Sequence, residues 1–158
     1  MELRPDLRVL DLRGNVNTRL KKLDSGMFDA IILASAGLVR LGMQDRIAQR
    51  LPTETMLPAC GQGAIGIECK TNDASTNQAL AALKCVDTTD RVICERSLNK
   101  KLGGSCQTPI AAYSELQGDE LYLRAFVGKP DGSQVFRAES TGPREQAQAL
   151  GELSLIHI

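Results

Sequence analysis

The 158-residue sequence predicts two structural classes in succession, an α/β partial domain of βαβ type and then a small α+β domain with a three-stranded antiparallel sheet. The first class is indicated by two apolar runs typical of buried parallel strands, each followed by a stretch with helical spacing. The second is indicated by a helix ending in two glycines, followed by three strand-like segments, the last two joined by a "KPDGS" turn.

The α/β part occupies the first third of the chain. "LRVLDL" is predicted as a strand, and "NVNTRLKKLDSG" as a helix because Val16, Leu20 and Leu23 recur at helical spacing before Gly26. "FDAIILA" is the second strand, and "GLVRLGMQDRIAQRL" is predicted to be helical up to Pro52. Two strands are too few for a closed core, so we expect part of a larger sheet that needs partner strands.

The remaining elements follow a loop rich in proline and glycine, "PTETMLPACGQG". "AIGIECK" is predicted as a strand and "DASTNQALAALKCV" as a helix with Asp73 or Ser75 at its N-cap. The α+β part then comprises a helix, three strands and the start of a last helix, predicted in "TTDRVICERSLNKKLGG", "PIAAYSEL", "ELYLRAFVG", "SQVFRAES" and "GPREQAQALGEL".

Composition excludes several classes of function. Nineteen basic and nineteen acidic residues cancel, and three Phe, two Tyr and no Trp leave little for stacking on bases, so a nucleic-acid partner is not expected. The apolar runs fall short of a membrane span and the N-terminus lacks a signal-peptide core, which indicates a cytoplasmic location. Five cysteines without a C-x-x-C pair indicate reduced thiols, and a single histidine, His157, leaves no metal site and no Cys-His pair.

Cys106 is the thiol whose setting calls for explanation. It lies in a loop between Gly103 and Gly104 on one side and Pro109 on the other, where a reactive sulfur would be reachable, and the preceding lysines favour thiolate. The alternative is a buried, inert thiol of the ordinary kind. The other four cysteines stand in apolar or helical contexts, so we expect them to be buried and inert.

Three arginines share a position beside predicted strand-to-helix turns. Arg13 and Arg19 follow the first strand, and Arg40 follows the second. Ligands of α/β sheets bind at the carboxyl ends of strands, and the planar guanidinium makes paired hydrogen bonds to carboxylate or phosphate. The three would then face one anion-binding crevice. The alternative is that they are solvated surface charges.

The segment "GQGAIG" formally matches the dinucleotide-binding pattern G-x-G-x-x-G. That pattern must follow a strand and open a helix, whereas here a proline-containing loop precedes it and a β-like segment follows. The sequence therefore favours a glycine-rich interdomain turn over a nicotinamide or flavin site.

Three separate motifs, in order, carry a resemblance to a known family. "LRGNVNTRLKKLDSGMFDAIILASAGLVRLG", "LPACGQGAIGIEC" and "LGGSCQTPIAAY" resemble the porphobilinogen deaminases, or hydroxymethylbilane synthases, of tetrapyrrole (haem) biosynthesis, and the similarity is collinear from Arg4 to Leu150. The resemblance implies a periplasmic-binding-like βαβ piece. It also implies a fragment of a transferase that condenses porphobilinogen units, with loss of ammonia, into hydroxymethylbilane on a covalently bound dipyrromethane cofactor.

The family's functional residues carry over to matching positions. By resemblance, Cys106 holds the dipyrromethane through a thioether, and Arg13, Arg19 and Arg40 bind the acetate and propionate arms of the pyrroles. Gln62 and Gly63 match the segment that crosses between domains beside the cofactor. The family's catalytic aspartate lies upstream of this sequence, so no catalytic residue is expected within it and the isolated chain should be inactive.

The resemblance also implies domain bounds and partners. Residues 1–57 correspond to the latter half of α/β domain 2, 58–85 to the crossing and a strand-helix segment of domain 1, and 86–158 to the cofactor-attachment domain 3, incomplete at its end. The expected partners are porphobilinogen and the growing oligopyrrole, with no nucleic acid, membrane or metal, and the family is expected to be monomeric.

Both ends of the sequence bear on this interpretation. Met1 aligns inside domain 2 of the family, and "LSLIHI" (153–158) resembles the translation of a sequencing-library adapter, so we expect a gene fragment whose last six residues are artefactual. The alternative for 153–158 is a genuine apolar helix end. Two other functions stay open, a non-enzymatic module that binds small carboxylates and a structural or interaction domain.

Overall fold

The computed structural model describes residues 4–105 and 108–153. The chain divides into two compact units, Met1–Leu51 and Pro52–Ile158, and each is described by itself. No helix in the described ranges is both long and apolar enough to cross a membrane.

The first unit contains two helices and one 3₁₀ turn, α1 (Val16–Asp24), α2 (Ser35–Arg40) and Gln44–Arg46. The side chain of Asn15 caps α1 by accepting a 2.9 Å hydrogen bond from the backbone N–H of Thr18. Leu20 of α1 and Leu38 of α2 are the buried residues of these helices. The predicted first helix is confirmed.

The second predicted helix was expected to run to Pro52 but ends at Arg40. The N–H of Met43 bonds to the Leu38 carbonyl at 2.8 Å and the N–H of Gly42 to the Val39 carbonyl at 3.0 Å, which is a Schellman motif. This motif satisfies the last carbonyls of α2 and turns the chain away. The prediction overlooked a glycine stop signal inside an apolar pattern.

The three predicted strands of the α/β part are not formed as strands within the described residues. Segments 7–12, 28–34 and 64–70 carry no ladder, because none of them pairs with another described segment. Their apolar side chains stay in solvent, with Val9 70% exposed and Ile65 73% exposed. The predicted βαβ sheet is therefore not assembled, and the physical reason is the missing partner strands.

In the second unit the three-stranded sheet and the helices on either side of it match the prediction, whereas segment 64–70 forms no strand and the helix predicted over 73–86 ends at Ala81. Its sheet has the order β1-β2-β3, antiparallel throughout, with Ala112 opposite Ala125 and Ala125 opposite Ala138. The elements in chain order are α3 (Ala74–Ala81), α4 (Val86–Lys101), β1 (Ile110–Gln117), β2 (Glu120–Gly128), β3 (Val135–Pro143), a 3₁₀ turn (Arg144–Gln146) and α5 (Ala147–Leu153).

The core of this unit lies between one face of the sheet and the helices α4 and α5. Leu121, Leu123 and Ala125, at alternate positions of β2, are buried, which is the alternation expected of a strand with one covered face. The buried cluster comprises Cys94, Leu98, Ala112, Leu121, Leu123, Ala125, Ala147 and Leu150. At Gly151 the helices approach so closely that an added β-carbon would collide with the Cys94 carbonyl oxygen of α4.

Candidate functional site

The first group of predicted site residues surrounds the start of α1. A β-carbon at Gly14 would lie 2.9 Å from Cβ of Thr18, closer than real side chains approach, so the turn before α1 requires glycine. The Nε of Arg19 donates a 2.7 Å hydrogen bond to the Gly14 carbonyl. The side chain of Arg13 is 88% exposed, and its nearest carboxylate, Asp11, lies 3.8 Å away.

Arg40 lies in the last turn of α2 and is exposed. It forms no ion pair with any described residue. A β-carbon at Gly37 would lie 3.9 Å from Cγ2 of Val16, so α1 and α2 approach each other at these two residues. Arg19 and Arg40 each stand three residues, about one helical turn, beyond that contact. The helices that carry Arg19 and Arg40 thus approach each other at Val16 and Gly37, while a shared crevice for the arginines stays a prediction.

The guanidinium groups of Arg13, Arg19 and Arg40 each offer N–H donors of the kind that bind carboxylates. Among the described residues, the only carboxylate near Arg13 is Asp11 at 3.8 Å and Arg40 has no ion-pair partner, while Arg19 donates to the Gly14 carbonyl through its Nε. An exposed guanidinium can offer two parallel N–H groups to one carboxylate, which a lysine cannot do.

The second group, Gln62 and Gly63, belongs to the other unit. Both are exposed and line a cavity of about 300 Å³ whose wall also includes Arg91, Glu95 and Tyr113. The Nε of Arg91 donates a 2.6 Å hydrogen bond to the Ser114 carbonyl, and its guanidinium lies 5.2 Å from the Tyr113 ring centre. This is a cation–π contact that holds α4 against β1.

The chain around Gln62 is fastened to the small sheet at two places. Arg124 donates hydrogen bonds to Thr53 Oγ1 at 3.0 Å and to Glu54 Oε1 at 3.2 Å. Further along, the N–H of Gly61 donates a 2.7 Å hydrogen bond to Oε2 of Glu95. The segment leading to Gln62 is therefore held by charged side chains of the sheet and of α4.

Sequence reasoning missed Arg91 and Glu95. Their partners lie far along the chain, 34 residues away in the case of Glu95 and Gly61. A signal was nevertheless present, because Arg91 and Glu95 share one helix stripe with Leu98 at the spacing i, i+4, i+7. A carboxylate on the apolar stripe of a predicted helix indicates a buried polar contact.

The cysteines divide into two groups. Burial raises the pKa of the Cys60 thiol to about 11 and that of Cys94 to about 12, so both stay protonated at neutral pH. The predicted burial is confirmed for Cys94, whereas Cys60 is half-buried. Cys69 is half-buried. The prediction is wrong for Cys85, which is exposed and accepts a hydrogen bond from Thr88 Oγ1 at 3.2 Å, a contact that lowers its pKa.

Cys106 lies outside the described residues, so its predicted role is not tested by the structure. The residues on either side of positions 106 and 107 form local hydrogen bonds. The N–H of Gly104 bonds to the Asn99 carbonyl at 2.8 Å and closes α4. Beyond it, Ser105 N donates to Thr108 Oγ1, and Thr108 N donates to the Ser105 carbonyl, each at 3.1 Å.

No group of three or more His, Cys, Asp or Glu side chains is arranged to hold a metal ion in the described part of the chain. The chemistry available there is anion binding by guanidinium groups, together with hydrogen bonding around the cavity.

Two family models match the sequence. Residues 1–78 match "Porphobilinogen deaminase, dipyromethane cofactor binding domain", and residues 89–155 match "Porphobilinogen deaminase, C-terminal domain". Consecutive matches to a cofactor-binding domain and to the C-terminal domain of the same protein define the chain as part of a cofactor-dependent enzyme. The chain belongs to the porphobilinogen deaminase family, the hydroxymethylbilane synthases of tetrapyrrole biosynthesis. The family resemblance and the dipyrromethane cofactor predicted from the motifs are thereby confirmed.

Proposed function

We propose that this chain forms the part of a hydroxymethylbilane synthase that anchors the dipyrromethane through Cys106 and binds its carboxylate arms through Arg13, Arg19 and Arg40. The observation that carries the proposal is the set of guanidinium groups around α1 and α2, exposed at Arg13 and Arg40 and half-buried at Arg19, in a region matched to the cofactor-binding domain. The family acts on porphobilinogen, whose acetate and propionate groups are the anions such a surface suits.

The residues present fit the cofactor chemically. Its carboxylates need cations that are not already neutralised. The only carboxylate near Arg13 among the described residues is exposed Asp11 at 3.8 Å, and Arg19 donates to the protein through its Nε, which leaves its terminal N–H groups to donate to a carboxylate. When bound, the dipyrromethane supplies the primer on which porphobilinogen units are condensed with loss of ammonia. The protein's own contribution is to hold the carboxylates by charge-assisted hydrogen bonds.

In this proposal Cys106 acts as an anchor. A thioether is stable once formed, so the sulfur does not turn over with each unit added. The other thiols are less suited to this role, because Cys60 and Cys94 are protonated and packed into the core of the small domain. Cys85 is the exposed competitor, so any test of attachment has to distinguish it from Cys106.

We also propose that the isolated chain makes no hydroxymethylbilane. Its extended segments 7–12, 28–34 and 64–70 expose apolar side chains and lack ladder partners among the described residues. In the whole enzyme these segments would gain partner strands and form the periplasmic-binding-like fold. Residues 1–57 would belong to domain 2, and residues 58–85 would belong to domain 1. Residues 86–158 would be the attachment domain, and the enzyme would be a cytoplasmic monomer.

The experiment that tests this function compares the purified chain with a chimera. In the chimera, residues 4–150 replace the matching segment of a complete porphobilinogen deaminase. We expect hydroxymethylbilane from the chimera and none from the chain alone. Product from the isolated chain would refute its inactivity. An active chimera carrying Cys106→Ser would refute the anchor, and carboxylate binding without any Cys106 adduct would favour the non-enzymatic binding module.

A further inference from the structure

Glu95 is a buried carboxylate, 5% exposed, on the inner stripe of α4. Its two oxygens have different partners. Oε1 accepts hydrogen bonds from Ser114 N at 2.9 Å and Ser114 Oγ at 3.0 Å. Oε2 accepts the 2.7 Å hydrogen bond from the N–H of Gly61. One side chain therefore joins helix α4, strand β1 and the turn that carries Gln62 and Gly63.

We propose that Glu95 is a positioning residue that fixes the Gln62–Gly63 turn against the attachment domain, so that these two residues are held in place at the mouth of the cavity. The inference rests on the proposed function in one respect, the assignment of Gln62 and Gly63 as cofactor contacts. The anchoring itself stands on the three hydrogen bonds and the burial.

The chemistry requires a carboxylate at this position. Both carboxylate oxygens of Glu95 face N–H or O–H donors, so both oxygens must accept hydrogen bonds. A glutamine has nearly the same shape but presents one oxygen and one NH₂. Whichever way the amide turns, one donor meets another donor. Ser114 offers its backbone N–H and a hydroxyl whose single proton can go to Glu95 or to the Arg91 carbonyl, whereas Gly61 offers one N–H. We therefore expect the amide oxygen to face Ser114 and the NH₂ to oppose the Gly61 N–H.

The other charged groups near Glu95 do not replace its role. Arg91, one turn earlier on α4, is engaged with the Ser114 carbonyl through its Nε. Cys60 and Cys94, whose pKa values Glu95 helps to raise, are neutral thiols at pH 7. The Gly61 amide is therefore tied to α4 by its hydrogen bond to Glu95.

Amide hydrogen exchange in the 158-residue chain, followed by NMR at fixed pH, tests the proposal. In the unaltered chain we expect Gly61 to exchange at least about tenfold more slowly than Gly66, because a hydrogen bond to a charged acceptor protects it. In Glu95→Gln we expect Gly61 to exchange about 10–100-fold faster. Amides in the centre of β2 should keep their protection, a pattern that a general loss of stability would not produce.

Ser114→Ala is the matched control. It removes the hydroxyl bonds to Glu95 and to the Arg91 carbonyl but leaves Oε2 on Gly61, so the Gly61 protection should stay close to that of the unaltered chain. Equal exchange of Gly61 and Gly66 in the unaltered chain would overturn the positioning role of Glu95 even if Glu95→Gln failed to fold. Unchanged Gly61 exchange in a folded Glu95→Gln variant would overturn it as well. Because no cofactor is present, these failures are distinguishable from failure of the proposed function, which would appear as a missing adduct on Cys106.

Discussion

The contact between α5 and α4 makes Gly151→Ala an informative perturbation. In an exposed helix interior, alanine in place of glycine stabilises by about 0.5–1 kcal/mol. In this structure, however, the new β-carbon would overlap the Cys94 carbonyl oxygen and lie 3.0 Å from Cβ of Ser97. A backbone oxygen in the middle of α4 cannot rotate away as a side chain can, so α5 must move off the core.

The overlap should outweigh the gain in helix propensity. Inserting a methyl group into a well-packed contact costs roughly 1–3 kcal/mol, and the rigid neighbour places Gly151 toward the upper end of that range. The net loss is then about 1–2 kcal/mol. For a domain of this size we expect the midpoint of thermal unfolding to fall by roughly 4–16 °C.

Thermal unfolding monitored by circular dichroism, with near-UV signals of the tyrosines of the small domain, is the assay. Gly37→Ala on α2 is the control, since its added β-carbon would meet Val16 at 3.9 Å, an ordinary contact, and should leave the transition of the small domain unchanged. An unchanged or higher midpoint for Gly151→Ala would refute the close packing of α5 on α4.

Four further predictions concern a helix cap, the labelling and the titration of cysteines, and one arginine of the candidate site. Asp73→Ala removes the cap on Thr76 and should destabilise α3 by about 1 kcal/mol, measured as faster amide exchange within that helix alone. Iodoacetamide at pH 8 should label the exposed Cys85 well before Cys60. The free energy of unfolding should decline as pH rises from 9.0, the ordinary thiol pKa, toward about 11, the raised pKa of Cys60 in the folded protein. Over this range the thiol loses its proton in the unfolded chain but keeps it in the folded one, which favours unfolding. Mass mapping that found Cys60 labelled first would contradict this burial. In the chimera, Arg13→Lys should raise the KM for porphobilinogen about tenfold or more, since the paired hydrogen bonds are lost, and unchanged kinetics would remove Arg13 from the site.

The elements of the second unit could be predicted because their signals are local. The glycine pair after α4, the "KPDGS" turn and the alternation along β2 each lie within a few residues of the structure they specify. The Asp73 cap is of the same kind, since its side chain bonds to the N–H of Thr76, three residues away. Such contacts form whatever the rest of the chain does.

The α/β part failed as a prediction of structure for a different reason. An apolar run such as 28–34 is suited to a buried strand, but a strand exists only when another segment completes its ladder. No described segment does so, and Ile32 remains exposed. The apolar run 28–34 therefore indicates a segment that would be buried as a strand if partner strands completed its ladder.

The assignment of the candidate site residues stays a prediction. The motifs indicated the arginines and Cys106, because these residues are fixed by short patterns in the chain. The Glu95 contact was missed, since it joins Gly61 to a helix 34 residues later and depends on how the loop folds back. Long-range hydrogen bonds of this kind leave only an indirect trace, a charged residue on an otherwise apolar helix stripe.

Peptide mass mapping of the chimera tests the central claim most directly. The protein is purified, digested and analysed for the peptides that contain Cys106 and Cys85. We expect the Cys106 peptide to carry the mass of two pyrrole units, and we expect Cys106→Ser to remove both this mass and the formation of hydroxymethylbilane. An unmodified Cys106 in an active chimera, or the same mass on Cys85, would contradict the assignment of Cys106 as the anchor of the cofactor.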